Sequence, residues 1–252
     1  MSKVIIFGTG QTADIVTYYL ENDSEHEIIA YTVDEKFITE DKYNNKPVIP
    51  FETIVENYPP SEFKMFIAIG YTNLNKFREE KYNLAKTKGY TLITYVNSRS
   101  GVNNTSKIGD NCFILEHQSI QPFATIENNC FIWGGVLIAH HSKIKSHCWI
   151  TSESSIAGNT TIGERCFIGV NATIGHMVTL GDDCMVGAGT LITKSANNGS
   201  VFIEKNTDLF KTKLVLLTRQ VKFRIPNYFT IIISIPFILY IIFINSLDTP
   251  VQ

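Results

Sequence analysis

Three residues offer the clearest chemistry in the chain: His140, the adjacent His141, and Gly158, which follows His140 by 18 residues. In a chain that coils once every 18 residues, Gly158 lies directly over His140. An imidazole beneath a glycine backbone provides a base for the proton of an attacking amine or hydroxyl, and an N–H for the oxygen that gains charge. That pairing suits acyl transfer. The competing reading makes His140 a solvated corner residue. As second and third residues after Ile138, His140 and His141 are expected to point to opposite sides, so they would not chelate one metal, and no metal site is expected. His176, in the same column, reads as a surface residue, and His26 as part of a solvated loop. The chain has no G-x-S-x-G elbow and no cysteine in an exposed setting, so direct transfer from a carrier is expected rather than a covalent acyl-enzyme.

The element that must hold these residues is a repeat. Stepping by six from Val96 meets Val102, Ile108, Ile114, Ile120, Ile126, Ile132, Ile138, Ile144, Ile150, Ile156, Ile162, Ile168, Ile174, Leu180, Val186 and Ile192 without interruption. Helices repeat near 3.6 and strands near 2, so this period belongs to a coil that turns a corner every six residues. Cys112, Cys130, Cys148, Cys166 and Cys184 fall 18 apart and give the length of one turn. Cysteines stacked at the ~4.8 Å strand spacing are too far apart for disulfides. They read as reduced thiols acting as small apolar groups. No insertion interrupts Ile108 to Ile192, about five coils. Val170 and Ala188, also 18 apart, share a column and suit an extended ligand running along the axis.

A second motif opens the chain. Val4-Ile5-Ile6-Phe7 reads as a buried strand, and Gly8-Thr9-Gly10-Gln11-Thr12-Ala13 leads into a helix with Ala13, Val16, Tyr19 and Leu20 on one face. Glycines there let backbone approach a phosphate at a helix N-terminus. A second strand, residues 28–33, ends at Asp34, placed for a hydroxyl or amide of a ribose or base. A third strand, Phe66-Ile67-Ala68-Ile69, runs into Gly70, and a helix from about Asn73 is expected to turn Leu74, Phe77 and Leu84 inward. Residues 1–95 thus make a small α/β unit, too short for a whole dinucleotide site, and a single nucleotide or nucleotide-sugar fits better. Residues 96–205 form the coil.

Lysine plus arginine, 22, nearly balance aspartate plus glutamate, 24, for a net charge of -2, which excludes nucleic acid as an obvious partner. Met1-Ser2-Lys3 is too short a lead for a signal peptide, so a cytoplasmic body is expected. Residues 206–252 form an extension whose apolar segment, 228–244, follows Arg219, Lys222 and Arg224. A membrane anchor, an interfacial or trimer-packed helix, and a non-native end all remain open for it.

With a G-x-G-x-x-A unit in front and hexapeptide coils behind, residues 3 to 205 resemble the bacterial nucleotide-sugar acetyltransferases of the sialic-acid and bacillosamine type. The likeness is strongest to those that N-acetylate dTDP-4-amino-4,6-dideoxy sugars, through Ala68-Ile69-Gly70-Tyr71, Arg78-Glu79-Glu80-Lys81, Ile138-Ala139-His140-His141-Ser142 and Phe167-Ile168-Gly169-Val170-Asn171-Ala172. The resemblance implies a Rossmann-like N-terminal domain, a left-handed parallel β-helix, and a homotrimer with acetyl-CoA lying between subunits. It implies His140 as base, and contacts to acetyl-CoA from the Gly158 N–H and from backbone near Val170 and Ala188. Gly8, Thr9, Gly10, Asp34 and Lys36 would hold the nucleotide, with Gly70 and Arg78 near its phosphates. A dTDP- or UDP-linked 4-amino-4,6-dideoxyhexose for surface polysaccharide, such as lipopolysaccharide O-antigen, is the implied substrate. O-acetylation and a non-catalytic nucleotide-sugar-binding scaffold are the alternatives. Some relatives place Glu after the base where this chain has His141, and histidine at the position of Trp149 or Glu153.

Overall fold

Each side of the coil is a two-residue strand, and from Asn111 to Gly189 each corner is turned by one residue in the left-handed backbone region. Those corner residues recur every sixth place, among them Asn111, His117, Phe123, Asn129, His141, His147, Glu153, Asn159, Arg165, Asn171, Met177 and Asp183, all with positive φ. Asparagine tolerates that region best, and the others pay a local cost that the stacked ladder repays. The computed structural model describes residues 2–205, which belong to one compact unit; the apolar segment 228–244 and the basic residues before it lie outside the described residues. Among the described residues no helix is long and apolar enough to cross a membrane.

Three parallel sheets make the faces of the prism, of seven, six and five strands. Neighbouring strands pair in register 18 apart, as in Ile132 with Ile150 and Ile138 with Ile156. The last coil is two residues shorter, since Met185 pairs with Val201. The repeat aliphatics from Ile114 to Ile192 all point inward and form one continuous core with the five cysteines. Each thiol donates to a carbonyl of the next coil, Cys148 to Gly163 at 3.0 Å and Cys130 to Lys145 at 3.2 Å. All five cysteines are free and buried, and burial pushes the Cys112 and Cys148 thiols well above their usual range. A thiol-specific chromophoric disulfide should therefore find essentially none of them in the native protein and five after unfolding. Rapid labelling of the folded chain would contradict this packing.

The N-terminal part is a five-stranded sheet in the order β3-β4-β2-β1-β5, with β1 Lys3–Phe7, β2 Glu27–Val33, β3 Lys42–Tyr43, β4 Lys46–Pro50 and β5 Lys64–Ile67. All its pairs are parallel except the β3–β4 hairpin. Helix α1, Gln11–Asn22, follows β1; the short α2, Ile54–Asn57, leads to β5; and α3, Lys76–Thr87, follows β5. This layer lies on the seven-stranded face, whose outward residues Tyr95, Phe113, Phe131 and Trp149 form one aromatic column, buried with Phe66, Ala13 and Leu20. Phe131 and Trp149 stack at 4.7 Å, while Phe66 meets Phe113 and Phe131 edge-on.

The helix expected from Asn73 starts at Lys76 instead, because Asn73, Leu74 and Asn75 all take positive φ. Its inward face also differs from expectation. Arg78, Lys81, Tyr82 and Ala85 are buried, whereas Leu84 is 41% exposed. The reason is the surface it meets, a corner column of polar residues, Asn111, Asn129, His147, Arg165 and Asp183. Asn111 donates to Asn129 at 2.7 Å, and Asn129 to Nδ1 of His147 at 2.8 Å. Arg165 joins Glu79 of α3 to Asp183. The Ile67 N–H donates to Asn111 at 2.8 Å, tying β5 to the same ladder. Burial lowers the His147 pKa, in keeping with a neutral ring that accepts at Nδ1.

Candidate active site

His140 sits at the corner between the six- and five-stranded faces, exposed, with its backbone N–H donating to Gln121 Oε1 at 3.1 Å. The coil stacks Gly158 over it as the 18-residue ruler requires. A Cβ on Gly158 would lie 2.8 Å from both Cε1 and Nε2 of His140, so only glycine leaves room for the imidazole. The Asn159 N–H donates to the His140 carbonyl at 3.0 Å and so locks the two coils together. Among the described residues the Gly158 N–H has no acceptor. A nitrogen base and a free backbone N–H thus meet at one surface point.

His141 does not turn away from His140. Its φ of 58° carries the backbone round the corner, strand alternation does not apply there, and the two Nδ1 atoms lie 3.2 Å apart. Phe123 packs on the other side of the His141 ring, 4.8 Å away. One of the two nitrogens must carry the proton they share. If it belongs to His140, its Nε2 lone pair is free beside Gly158. Among the described residues no cluster of His, Cys, Asp or Glu is arranged to hold a metal ion.

Val170 and Ala188 lie one coil apart, exposed, with the Gly189 N–H donating to the Val170 carbonyl at 2.8 Å. They occupy the corner between the seven- and six-stranded faces. His140 stands at the opposite edge of the six-stranded face, so one chain does not bring these two groups together.

The N-terminal candidates gather at the carboxyl ends of β1, β2 and β5. Gly8 has φ +130°, and a Cβ there would come within 2.6 Å of the Ala68 carbonyl oxygen. Glycine is required because the loop is pressed against the end of β5. Gly10 caps α1 with open space above it, and Gly70 faces Thr12 of the same helix. Thr9 lines a small hollow with Phe37, Tyr43 and Val48. Strand order reverses direction between β1 and β5, and such a switch point leaves a crevice at the strand ends. Asp34 and Lys36 border a neighbouring cleft of about 430 Å³.

Arg78, expected near phosphates, is fully buried and committed elsewhere. Its guanidinium donates to Asn75 Oδ1 and to the carbonyls of Gly70, Asn129, His147 and Cys148, at 2.8 to 3.3 Å. It also lies over the rings of Phe131 and Trp149, and burial lowers its pKa to about 10. Its bonds fasten the Gly70 loop and α3 to the coil. Tyr71, not singled out from the sequence, is half exposed beside Gly70 and packs on Trp149 and Phe167. It joins the strand-end crevice to the aromatic column, and the 18-residue spacing of Phe131, Trp149 and Phe167 was the available signal.

Residues 141–176 match the bacterial transferase hexapeptide family, and residues 159–194 match the hexapeptide repeat of succinyl-transferase. No curated protein sequence matches the chain. Among solved structures, PerB from Caulobacter crescentus, in complex with CoA and GDP-perosamine, is 22% identical. The match covers 80% of this chain and 93% of that one with a TM-score of 0.71. The acetyltransferase domain of PglB from Neisseria gonorrhoeae is 21% identical, with coverage of 80% and 96% and a TM-score of 0.68. WeeI from Acinetobacter baumannii is 19% identical, covers 80% and 96%, and has a TM-score of 0.53. The chain shares their fold over four fifths of its length, 80% in each of the three matches.

Proposed function

We propose that the protein is an acetyl-CoA-dependent N-acetyltransferase acting on a nucleotide-linked amino sugar. The observation that carries this reading is His140 under Gly158: an exposed base and an unused N–H at one point. Repeats of the transferase type support it, as does a fold shared with an acetyltransferase that binds CoA and GDP-perosamine. On this reading the coil is left-handed, and residues 1–95 are a Rossmann-like nucleotide-sugar domain in which Gly8, Thr9, Gly10, Asp34, Lys36 and Gly70 hold the nucleotide.

The sugar amine attacks the thioester carbonyl, forming the C–N bond. His140 Nε2 takes the amine proton while the Gly158 N–H stabilises the oxygen that gains charge. Collapse breaks the C–S bond, and the proton passes from His140 to the departing CoA thiolate. His141, as acceptor for His140 Nδ1–H, does the orienting that a carboxylate does in some relatives. Because the His140 and Val170/Ala188 corners lie on different edges of one face, acetyl-CoA that touches both bridges two subunits. A homotrimer supplies that arrangement, and Val170 and Met177, 50% and 70% exposed, are apolar groups such an interface would cover.

Incubating the full-length chain with acetyl-CoA and a panel of dTDP-, UDP- and GDP-linked amino sugars, while following free CoA, tests the reading. Release of CoA with an N-acetylated product is the expected result. Product acetylated on oxygen would favour the O-acetyltransferase, and sugar binding without turnover the scaffold.

A further inference from the structure

Asparagine turns the corner in the left-handed region at Asn111, Asn129, Asn159 and Asn171, but the corner one coil before His141 carries Phe123, at φ 65°. A phenylalanine there is an outlier, since its Cβ crowds the backbone and its side chain makes no local hydrogen bond in return. Core packing does not account for it. The ring is 57% exposed and joins none of the hydrophobic cores among the described residues. Its backbone is nonetheless held, with the N–H donating to Thr105 Oγ1 at 3.0 Å and that hydroxyl donating to Asn103 Oδ1 at 2.7 Å. The ring lies against that of His141, with centroids 4.8 Å apart and planes 39° from parallel.

His141 needs holding because of the kind of acceptor it is. A carboxylate has two equivalent oxygens and accepts from several directions, so half a turn about its last bond changes nothing. A neutral imidazole accepts at one nitrogen, along one line in the ring plane, and half a turn puts a carbon where Nδ1 stood. The rings of His140 and His141 stand at 82°, with their Nδ1 atoms 3.2 Å apart, so His141 must keep its setting to aim a lone pair at His140. A phenyl ring on its face blocks the quarter-turn through which the imidazole would swing away. Without that aim the His140 proton is free to sit on Nε2, which then cannot accept another. We infer that Phe123 is a positioning residue, a clamp that fixes the His141 ring and through it the Nδ1–H tautomer of His140, leaving Nε2 open beside Gly158. The inference rests on the acetyl-transfer reading and extends it to a residue that acts through another.

Phe123→Asn removes the ring and suits the left-handed corner, so the full-length variant should be at least as stable towards urea as the wild type. Its kcat should nevertheless fall about tenfold, with both KM values within about twofold, a split that a purely structural side chain would not produce. Phe123→Tyr should keep the activity. In a His141→Glu background, whose acceptor has no orientation to lose, the same Phe123→Asn change should cost less than about twofold. Nitrogen NMR spectra of histidine-labelled protein, at a pH where both rings are neutral, read the tautomer without turnover. The His140 proton should sit on Nδ1 in the wild type and be shared with Nε2 in Phe123→Asn. Equal losses of kcat in both backgrounds, or an unchanged tautomer, would overturn the clamp. A raised KM for the nucleotide-sugar at constant kcat would make Phe123 a substrate contact instead. A wild type that shows the tautomer shift on substitution but transfers no acetyl group would support the clamp and overturn the reading on which it rests.

Discussion

His140→Ala is expected to cut acetyl transfer by about two orders of magnitude or more, with binding of acetyl-CoA and nucleotide-sugar retained. The size follows from the loss of proton acceptance in the step that forms the C–N bond, since among the described residues no other base lies under Gly158 to take its place. His141, 3.2 Å from Nδ1 of the lost ring, approaches from the side away from Nε2. Stability should hardly change, because the ring is exposed and its contacts are to His141 and the Gly158 backbone. Steady-state kinetics, with calorimetry for the two ligands, separate the outcomes. Turnover within a few-fold of wild type would remove His140 from the chemistry. A matching loss of ligand affinity would make it a binding residue instead.

The coil was legible because its signal is redundant. The aliphatic column and the corner residues each repeat every six residues, and the cysteine column every 18, which sets the turn that places Gly158 over His140. What could not be read was how the N-terminal layer sits. Helix α3 buries Arg78, Lys81 and Tyr82 and exposes Leu84, the reverse of an ordinary amphipathic helix. A hydrophobic pattern cannot announce a helix that packs on a polar ladder. The face that receives the layer did leave a trace. Phe113, Phe131, Trp149 and Phe167 recur every 18 residues on one side only, where the other two sides carry Ser119, Leu137, Ser155 and Thr173 or Lys107, Thr125, Lys143 and Thr161. Outward aromatics on a single face mark it as covered. The meeting of His140 and His141 was hidden for a simpler reason, a corner at which φ changes sign.

Arg78→Met should destabilise the protein by about 3–5 kcal/mol, since several buried acceptors lose their donor at about 1–3 kcal/mol each. That is a large part of the 5–15 kcal/mol that holds a typical domain. The side chain is fully buried, and methionine would fill much of its volume but satisfy none of its acceptors. The carbonyls of Gly70, Asn129 and His147 and the Asn75 side-chain oxygen would lose this donor, while the Cys148 carbonyl keeps the Phe131 N–H. The contacts with Phe131 and Trp149 would survive only as packing. Arg78→Lys keeps the charge, but three donors on one atom cannot span acceptors on Gly70, α3 and two coils, so an intermediate loss is expected. Because the same guanidinium ties Gly70 to the coil, residual folded protein should bind the nucleotide-sugar more weakly as well. Urea denaturation read by tryptophan fluorescence reports the change directly, since Trp149 lies under the guanidinium. A midpoint equal to wild type, with only a raised KM for the nucleotide-sugar, would return Arg78 to the place near the phosphates that the family resemblance implied.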